Sequence, residues 1–430
     1  MAASAQTSDG FSPELVSWNT TARCNLRCAH CYLAAGRRAP DELSFEEGCR
    51  LVEQLAEAGT EMLILTGGEP LLRRDVDRLV ARAAAYGLLV VLGTNGTLLT
   101  PARVRRLKAA GLSGAGISLD SLSPEQHDRF RGAPGAWRAA LRGIRACVAE
   151  GLPVLVQMTV LPWNAGEVEA MVELAAAEGA AGFSLYFLVC TGRGEQLSDI
   201  TPAQYEQALA TLVAVQARFP QMMVRARCAP QIVRVAARSD SALVGSAGCL
   251  AARRYCRVSA EGEVTPCPYL PLVAGNVRER PFGEIWRASP LFQRLRLPPG
   301  GRCGACGFRE LCGGCRARAL ALGGDVAGED PWCDYRSEER PAPEATLPWS
   351  AEAEARLLRV PLFIRDRVRL AVERQARASG STVVTPAELH ATFESLGRRV
   401  PFHGHRGPPD GGAVRPGGDT NEEGRERRGP

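Results

Sequence analysis

Fifteen cysteines occur in 430 residues, and eleven of them fall into two groups with the close spacing that metal chemistry needs. The first group is Cys24-Asn25-Leu26-Arg27-Cys28-Ala29-His30-Cys31. Three thiolates at that spacing can hold three irons of a 4Fe–4S cluster and leave the fourth iron open, whereas clusters that only carry electrons use four cysteines. The second group is Cys249, Cys256, Cys267, Cys303, Cys306, Cys312, Cys315 and Cys333. Zinc is the alternative at both places: a structural site with a distant fourth ligand in the first, a ribbon of Cys303, Cys306, Cys312 and Cys315 in the second. Cys49, Cys147, Cys190 and Cys228 stand apart, and Cys49 and Cys147 lie in apolar helical patterns that suit buried small hydrophobes. No Ser/His/Asp set or paired-carboxylate motif competes for a catalytic role.

The elements that must position these thiols alternate regularly. Strand-like apolar runs at 15–19, 61–65, 88–93, 114–119, 153–160 and 182–187 are separated by helical patterns at 45–58, 75–85, 102–110, 137–150 and 167–178. Thr100-Pro101 and Ser123-Pro124 place a capping side chain before a proline in the first helical turn, and Thr201 with Gln204 has capping-box spacing. Six strands alternating with helices predict an α/β fold with a parallel sheet: a partial (β/α)6 barrel over residues 12–230, since six units are too few for eight-fold closure. The three-cysteine loop then follows the first strand, at the barrel's C-terminal mouth. Residues 188–248 read as mainly helical.

Beyond the barrel the spacing predicts a Cys-rich extension at 249–335, a Pro- and Glu-rich linker at 336–347, a small helical domain at 348–396 and a disordered tail at 405–430. Ser350 and Thr385-Pro386-Ala387-Glu388 are helix-start signals in the small domain, and Pro361 marks a kink or break. A composition with 45% hydrophobic and 23% charged residues is that of a globular chain. A net charge of +5 without any Lys/Arg block argues against a nucleic-acid partner. Residues 1–10 lack a signal-peptide pattern, and the apolar runs are too short to span a bilayer, so a cytoplasmic protein with no membrane partner is expected.

The three-cysteine spacing after the first strand resembles the radical S-adenosylmethionine (SAM) superfamily, and the likeness continues through the first domain. Thr66-Gly67-Gly68-Glu69-Pro70 matches that family's GGEP segment, whose backbone and Glu69 would receive the SAM amino group. The resemblance also places Asn95 of Thr94-Asn95-Gly96 at the end of strand three, and Ser118 and Asp120 of Ser118-Leu119-Asp120 where polar groups meet the SAM ribose and carboxylate. Arg131, read as a loop residue, would pair with that carboxylate, and His30 and Tyr32 would line the adenine. The implied chemistry is reductive cleavage of SAM to methionine and a 5′-deoxyadenosyl radical that abstracts a hydrogen atom. An electron donor such as a ferredoxin or flavodoxin is implied as partner.

The second cysteine group is similar to the SPASM extension of radical SAM enzymes, which carries two auxiliary 4Fe–4S clusters. By position Cys303, Cys306, Cys312 and Cys333 would hold the distal cluster, and Cys249, Cys256, Cys267 and Cys315 the proximal one. Two residues, not the usual three, separate Cys312 from Cys315. Val264-Thr265-Pro266-Cys267-Pro268-Tyr269, Gly313-Gly314-Cys315-Arg316-Ala317-Arg318 and Tyr186-Phe187-Leu188-Val189-Cys190-Thr191-Gly192-Arg193 resemble one haem-biosynthesis subgroup, that of the didecarboxysiroheme decarboxylase and haem d1 maturation enzymes. These act on propionate side chains of an iron tetrapyrrole. The residues from Trp349 to Glu373 look like the small helical domain of light-independent protochlorophyllide reductase; there Arg365 and Arg369 share a helix face and would meet propionates or form a solvated basic face. The expected activity is therefore a radical SAM oxidoreductase or lyase acting on tetrapyrrole propionates. A SPASM-type maturase of a ribosomal peptide is the alternative.

Overall fold

The structure, a computed structural model, describes residues 11–396 except 38, 198, 238–247, 337–346, 359 and 361. The expectations for residues 1–10, the body of the linker, Pro361 and the 405–430 tail lie outside the described residues.

All six expected strands form: β1 (Leu15–Asn19), β2 (Met62–Thr66), β3 (Leu89–Thr94), β4 (Leu112–Ser118), β5 (Val154–Val160) and β6 (Gly182–Phe187). They pair in parallel in chain order. Helices Phe45–Glu57, Val76–Ala85, Pro101–Ala109, Ala136–Ala149 and Val168–Ala177 provide the crossovers. Local chemistry sets their starts. Thr100 Oγ1 accepts from Arg103 N and Ser123 Oγ from Gln126 N, each beside a first-turn proline; Thr201 and Gln204 cap each other reciprocally at helix Pro202–Arg218.

The sheet extends beyond six strands. The region expected to be helical contributes β7 (Met223–Arg227), parallel to β6, and the Cys-rich segment contributes β8 (Tyr255–Val258), parallel to β1. Short strands β9 (Glu263–Thr265) and β10 (Gly275–Asn276) add antiparallel, giving the order β10-β9-β8-β1-β2-β3-β4-β5-β6-β7. Six strand spacings, about 29 Å if flat, separate β6 from β8 in this order. Yet Tyr186 of β6 lies close enough to Tyr255 of β8 for its charge to act on the Tyr255 hydroxyl, so the sheet curls round into an open barrel. One continuous core joins the barrel to the Cys-rich segment, from Val16 and Trp18 through Phe183 to Trp286 and Trp332.

Helices Ala351–Leu357, Leu362–Ala378 and Pro386–Leu396 enclose a separate core around Leu357, Val372 and Val384. Ser350 caps the first, its Oγ accepting from Ala353 N, and Thr385 N donates to Glu388 Oε2 at the third. Among the described residues no helix is long and apolar enough to cross a membrane. Cys147 is fully buried as expected; Cys49 is only half-buried, because its helix turns that position toward the edge of the apolar face.

Candidate functional site

The chain leaves β1 directly into the loop that carries Cys24, Cys28 and Cys31. Backbone N–H groups reach two of the sulfurs: Leu26 N donates to Cys24 Sγ and Ala35 N to Cys31 Sγ, each at 3.4 Å. Arg131 Nη1 donates to Cys28 Sγ at 3.8 Å. From the far side, Arg193 donates through Nε to Cys28 O and through Nη1 to Ala35 O, both at 2.9 Å, which pins the loop against the segment after β6. Burial pushes the Cys24 thiol up to about 11, and the neighbouring Cys28 and Cys31 add to the rise. Three crowded, partly buried thiols with donors already aimed at sulfur fit a cationic cluster, which would offset their mutual repulsion. Among the described residues no three His, Cys, Asp or Glu side chains converge closely enough to share a single metal ion. A cubane takes one thiolate at each separate iron and accommodates the wider spacing.

The residues expected around SAM gather at the ends of β2, β3 and β4. Gly67 has φ +136°, and a Cβ there would meet Thr21 O at 2.4 Å; at Gly68 it would meet Arg23 O at 2.1 Å. The close approach these glycines permit is therefore to the backbone leading into the cysteine loop. Glu69 is fully buried; it accepts from Thr94 Oγ1 (2.7 Å), Asn95 N (2.9 Å) and Leu71 N (3.1 Å), tying β2 to β3, while Pro70 opens the short helical turn Pro70–Leu72. Burial raises the Glu69 carboxyl although these donors oppose it. Asn95 shapes its own turn, accepting from Thr97 N, and also reaches the cysteine loop by donating to Asn25 Oδ1 at 2.9 Å. Ser118 ends β4 half-buried.

Asp120 and Arg131 meet, but not as expected. Arg131 is the last residue of helix Pro124–Arg131 and not a loop residue, and its guanidinium grips Asp120 Oδ2 through Nε and Nη2, both at 2.6 Å. The second oxygen, Oδ1, accepts from Thr159 N. Burial alone would raise the Asp120 carboxyl, but Arg131, followed by His127 and His30, holds it below the usual range. His127 Nδ1 accepts from Asp120 N at 3.1 Å. His30 stacks on Phe130 at 4.3 Å, and its Nδ1 is shielded from solvent without a partner; burial, then Arg131, pushes its pKa down to about 3. A neutral imidazole has one donor and one acceptor nitrogen, so this unpaired ring nitrogen within the cysteine loop can pair with a polar group of a bound nucleoside. Tyr32 donates to Asn19 Oδ1 at 3.2 Å and sets its ring edge-on to Tyr269.

In the Cys-rich segment Cys303, Cys306, Cys312 and Cys333 line one pocket, partly open to solvent, with Phe308, Asp330 and Tyr335. Cys228 lies near Cys315 and Cys249, and Cys267 near Cys249, Cys315 and Cys228, close enough for charge on one to raise another's thiol pKa, so Cys228 joins three of the four cysteines expected in the proximal group. Cys256 is not among them. Side chains alternate along β8: Tyr255 turns inward to Ser17 Oγ (2.6 Å), so Cys256 faces the helices, fully buried in apolar surroundings, and burial is the one cause of its raised thiol pKa. Cys228 has φ +57° just after β7. Its place directly after β7 marks it only once that strand is recognised. Gly313 and Gly314 both have positive φ, and this tight turn sends Cys312 to one group and Cys315 to the other across the short gap. In the C-terminal helices Arg365 donates to Val360 O and Leu358 O and approaches Glu61, while Arg369 pairs with Glu354 over the Trp349 ring, so both engage the protein itself.

A curled parallel sheet carries a three-cysteine loop after β1 and two groups of four cysteines beside it, a donor set suited to iron–sulfur clusters in an α/β protein. The sequence pattern of the radical SAM superfamily matches residues 18–175, that of an iron–sulfur cluster-binding domain (SPASM) residues 249–316, and that of the proto-chlorophyllide reductase 57 kD subunit residues 349–392. The chain is 40% identical to an AdoMet-dependent heme synthase of Methanosarcina barkeri, covering 76% of this chain and 97% of that one. It is 32% identical to a pre-heme d1 synthase of Dinoroseobacter shibae, over 77% and 88% of the two chains. Streptococcus suis SuiB bound to S-adenosylmethionine shares the fold, with TM-score 0.64 and 17% identity over 75% of this chain and 78% of that one. The chain belongs to the radical SAM superfamily. Its cofactors are S-adenosylmethionine and 4Fe–4S clusters.

Proposed function

We propose that this enzyme removes carboxyl groups oxidatively from propionate side chains of an iron tetrapyrrole in haem-type biosynthesis. The observation that carries this reading is the 40% identity across nearly the whole length of an AdoMet-dependent heme synthase. Cys24, Cys28 and Cys31 would hold the SAM-binding cluster; Cys303, Cys306, Cys312 and Cys333, and Cys228, Cys249, Cys267 and Cys315, would hold two auxiliary ones. When bound, the first cluster and SAM supply a carbon radical able to take a hydrogen atom from an unactivated carbon. The protein fixes their surroundings. Arg131 orients Cys28 through its pair with Asp120, Glu69 locks the ends of β2 and β3, and His30 and Tyr32 flank the loop. Loss of one hydrogen atom from the propionate carbon next to the ring, and of carbon dioxide, leaves a vinyl group and one electron. The closed four-thiolate groups suit its removal, and a ferredoxin- or flavodoxin-class protein would supply the electron that starts each turnover.

Anaerobic incubation of cluster-reconstituted protein with SAM, a strong reductant and didecarboxysiroheme, followed by mass spectrometry, tests this. The expected product is lighter by the mass of formic acid for each propionate converted. An unchanged tetrapyrrole, with SAM cleaved at the same rate in its absence, would refute the proposal and bring peptide substrates forward.

A further inference from the structure

The inner face of the barrel is polar, in register from strand to strand. Gln157 of β5 lies beside Ser184 of β6, which lies beside Arg225 of β7; one layer up, Thr159 lies beside Tyr186 and Tyr186 beside Arg227. Across the opening, Arg257 of β8 lies beside Ser17 of β1, on the face that Tyr255 shares. Arg227 and Arg257 thus stand on β7 and β8, the two ends of the parallel run where the barrel fails to close. Arg257 is near enough to Tyr32, the residue after Cys31, to lower its hydroxyl pKa against burial, and Arg227 acts likewise on Tyr186. The pair therefore spans the space between the SAM-binding loop and the auxiliary group at Cys228.

Both guanidinium groups have an Nε that is shielded from solvent and has no hydrogen-bond partner. Leaving such a donor shielded and unpaired is costly, and a bound carboxylate would satisfy it; Arg82, Arg103, Arg234 and Arg318 share the unpaired Nε but are anchored through their Nη atoms. Three buried carboxylates near the cysteine loop are already engaged: Asp120 by Arg131, Glu69 by Thr94 and Asn95, and Glu42 by Thr21 and Ala22 N. A guanidinium fork matches a carboxylate in shape and charge.

We propose that Arg227 and Arg257 bind carboxylates of the substrate, holding a polycarboxylate across the barrel opening with one side chain presented to the cysteine loop. This rests on the tetrapyrrole reading for the identity of the polycarboxylate and assigns the residues that select it. The arginines that read propionates are thus on the barrel strands, and Arg365 and Arg369 are not needed for it.

The test is absorbance titration of the cluster-loaded, SAM-bound protein with didecarboxysiroheme and with its methyl ester, in which the carboxylates are masked. Wild type should bind the acid more tightly than the ester by about tenfold or more. Arg227→Met and Arg257→Met should each lose about tenfold or more for the acid and little for the ester, at unchanged iron content. Wild type that binds and converts the acid but binds the ester equally well would overturn this inference alone, and needs no variant to fold. Variants that keep wild-type affinity for the acid would do the same. Wild type that binds neither compound would overturn the tetrapyrrole reading and this inference together.

Discussion

Arg318 and Asp330 form an ion pair at 2.9 Å with both side chains sealed from solvent, and that pair stands between the two auxiliary cysteine groups. Arg318 also donates to Cys228 O at 2.7 Å, while Asp330 accepts from Cys315 N at 2.8 Å and from Gln231 Nε2 at 2.7 Å. Two cysteines far apart in sequence are thereby held by one buried frame. Asp330→Asn would leave a buried guanidinium without its counter-charge, a loss of about 3–5 kcal/mol. Chemical denaturation should reveal that loss, and iron analysis should show the auxiliary iron falling while the three-cysteine site stays loaded.

Cys228 and Cys256 separate the assignment of the proximal group proposed from the structure from the one the SPASM resemblance implies. Cys228→Ala should lower iron content by up to one cluster and change the reduced-state electron paramagnetic resonance spectrum. Cys256→Ala should leave both unchanged and cost about 1 kcal/mol of core packing. Iron lost from Cys256→Ala and kept in Cys228→Ala would reverse the assignment.

Arg193 is expected to act on the SAM-binding cluster without touching sulfur. Its two bonds to Cys28 O and Ala35 O hold the loop, so Arg193→Ala should speed loss of that cluster to a chelator several-fold, with a smaller effect from Arg193→Lys. Equal rates in wild type and Arg193→Ala would show that the loop holds its shape unaided.

His127 predicts a pH dependence. Burial lowers its pKa to about 4, and its Nδ1 must stay unprotonated to accept from Asp120 N. Unfolded, it titrates near 6.5, so between about 6.5 and 4 the unfolded chain takes up a proton that the folded one refuses. Stability therefore falls with acidification across that window, by up to about 1.4 kcal/mol per pH unit from this group. Asp120 adds to the loss at lower pH, because its folded pKa is depressed and its contribution disappears as the pH drops through that value. Urea midpoints from pH 7.5 to 5 should slope less in His127→Asn, where the amide oxygen accepts without titrating.

Much of this was legible in the chain because local chemistry repeats it. Apolar runs of strand length, Ser and Thr caps before proline, and Cys24, Cys28 and Cys31 after the first strand gave the barrel core and the principal site. The strand β7 was hidden because Arg225 and Arg227 put charge on one of its faces, and charge in a short run argues for the surface until the barrel interior is seen to be polar. Cys228 was hidden for a related reason: its partners lie twenty or more residues away, and the turn after β7 and the Arg318–Asp330 frame bring them together. The SPASM resemblance counted Cys256 in the group, while strand alternation on β8 turns it to the face opposite Tyr255. Arg131 closes a helix that the capping signal at Ser123 had already announced.

The most direct measurement is the fate of the hydrogen atom. Didecarboxysiroheme deuterated on the propionate carbons next to the ring would be incubated anaerobically with reconstituted protein, SAM and reductant, and the 5′-deoxyadenosine analysed by mass spectrometry. One deuterium in the 5′-deoxyadenosine, appearing together with decarboxylated tetrapyrrole, is the expected result. Unlabelled 5′-deoxyadenosine formed at the same rate with and without the tetrapyrrole would contradict propionate chemistry.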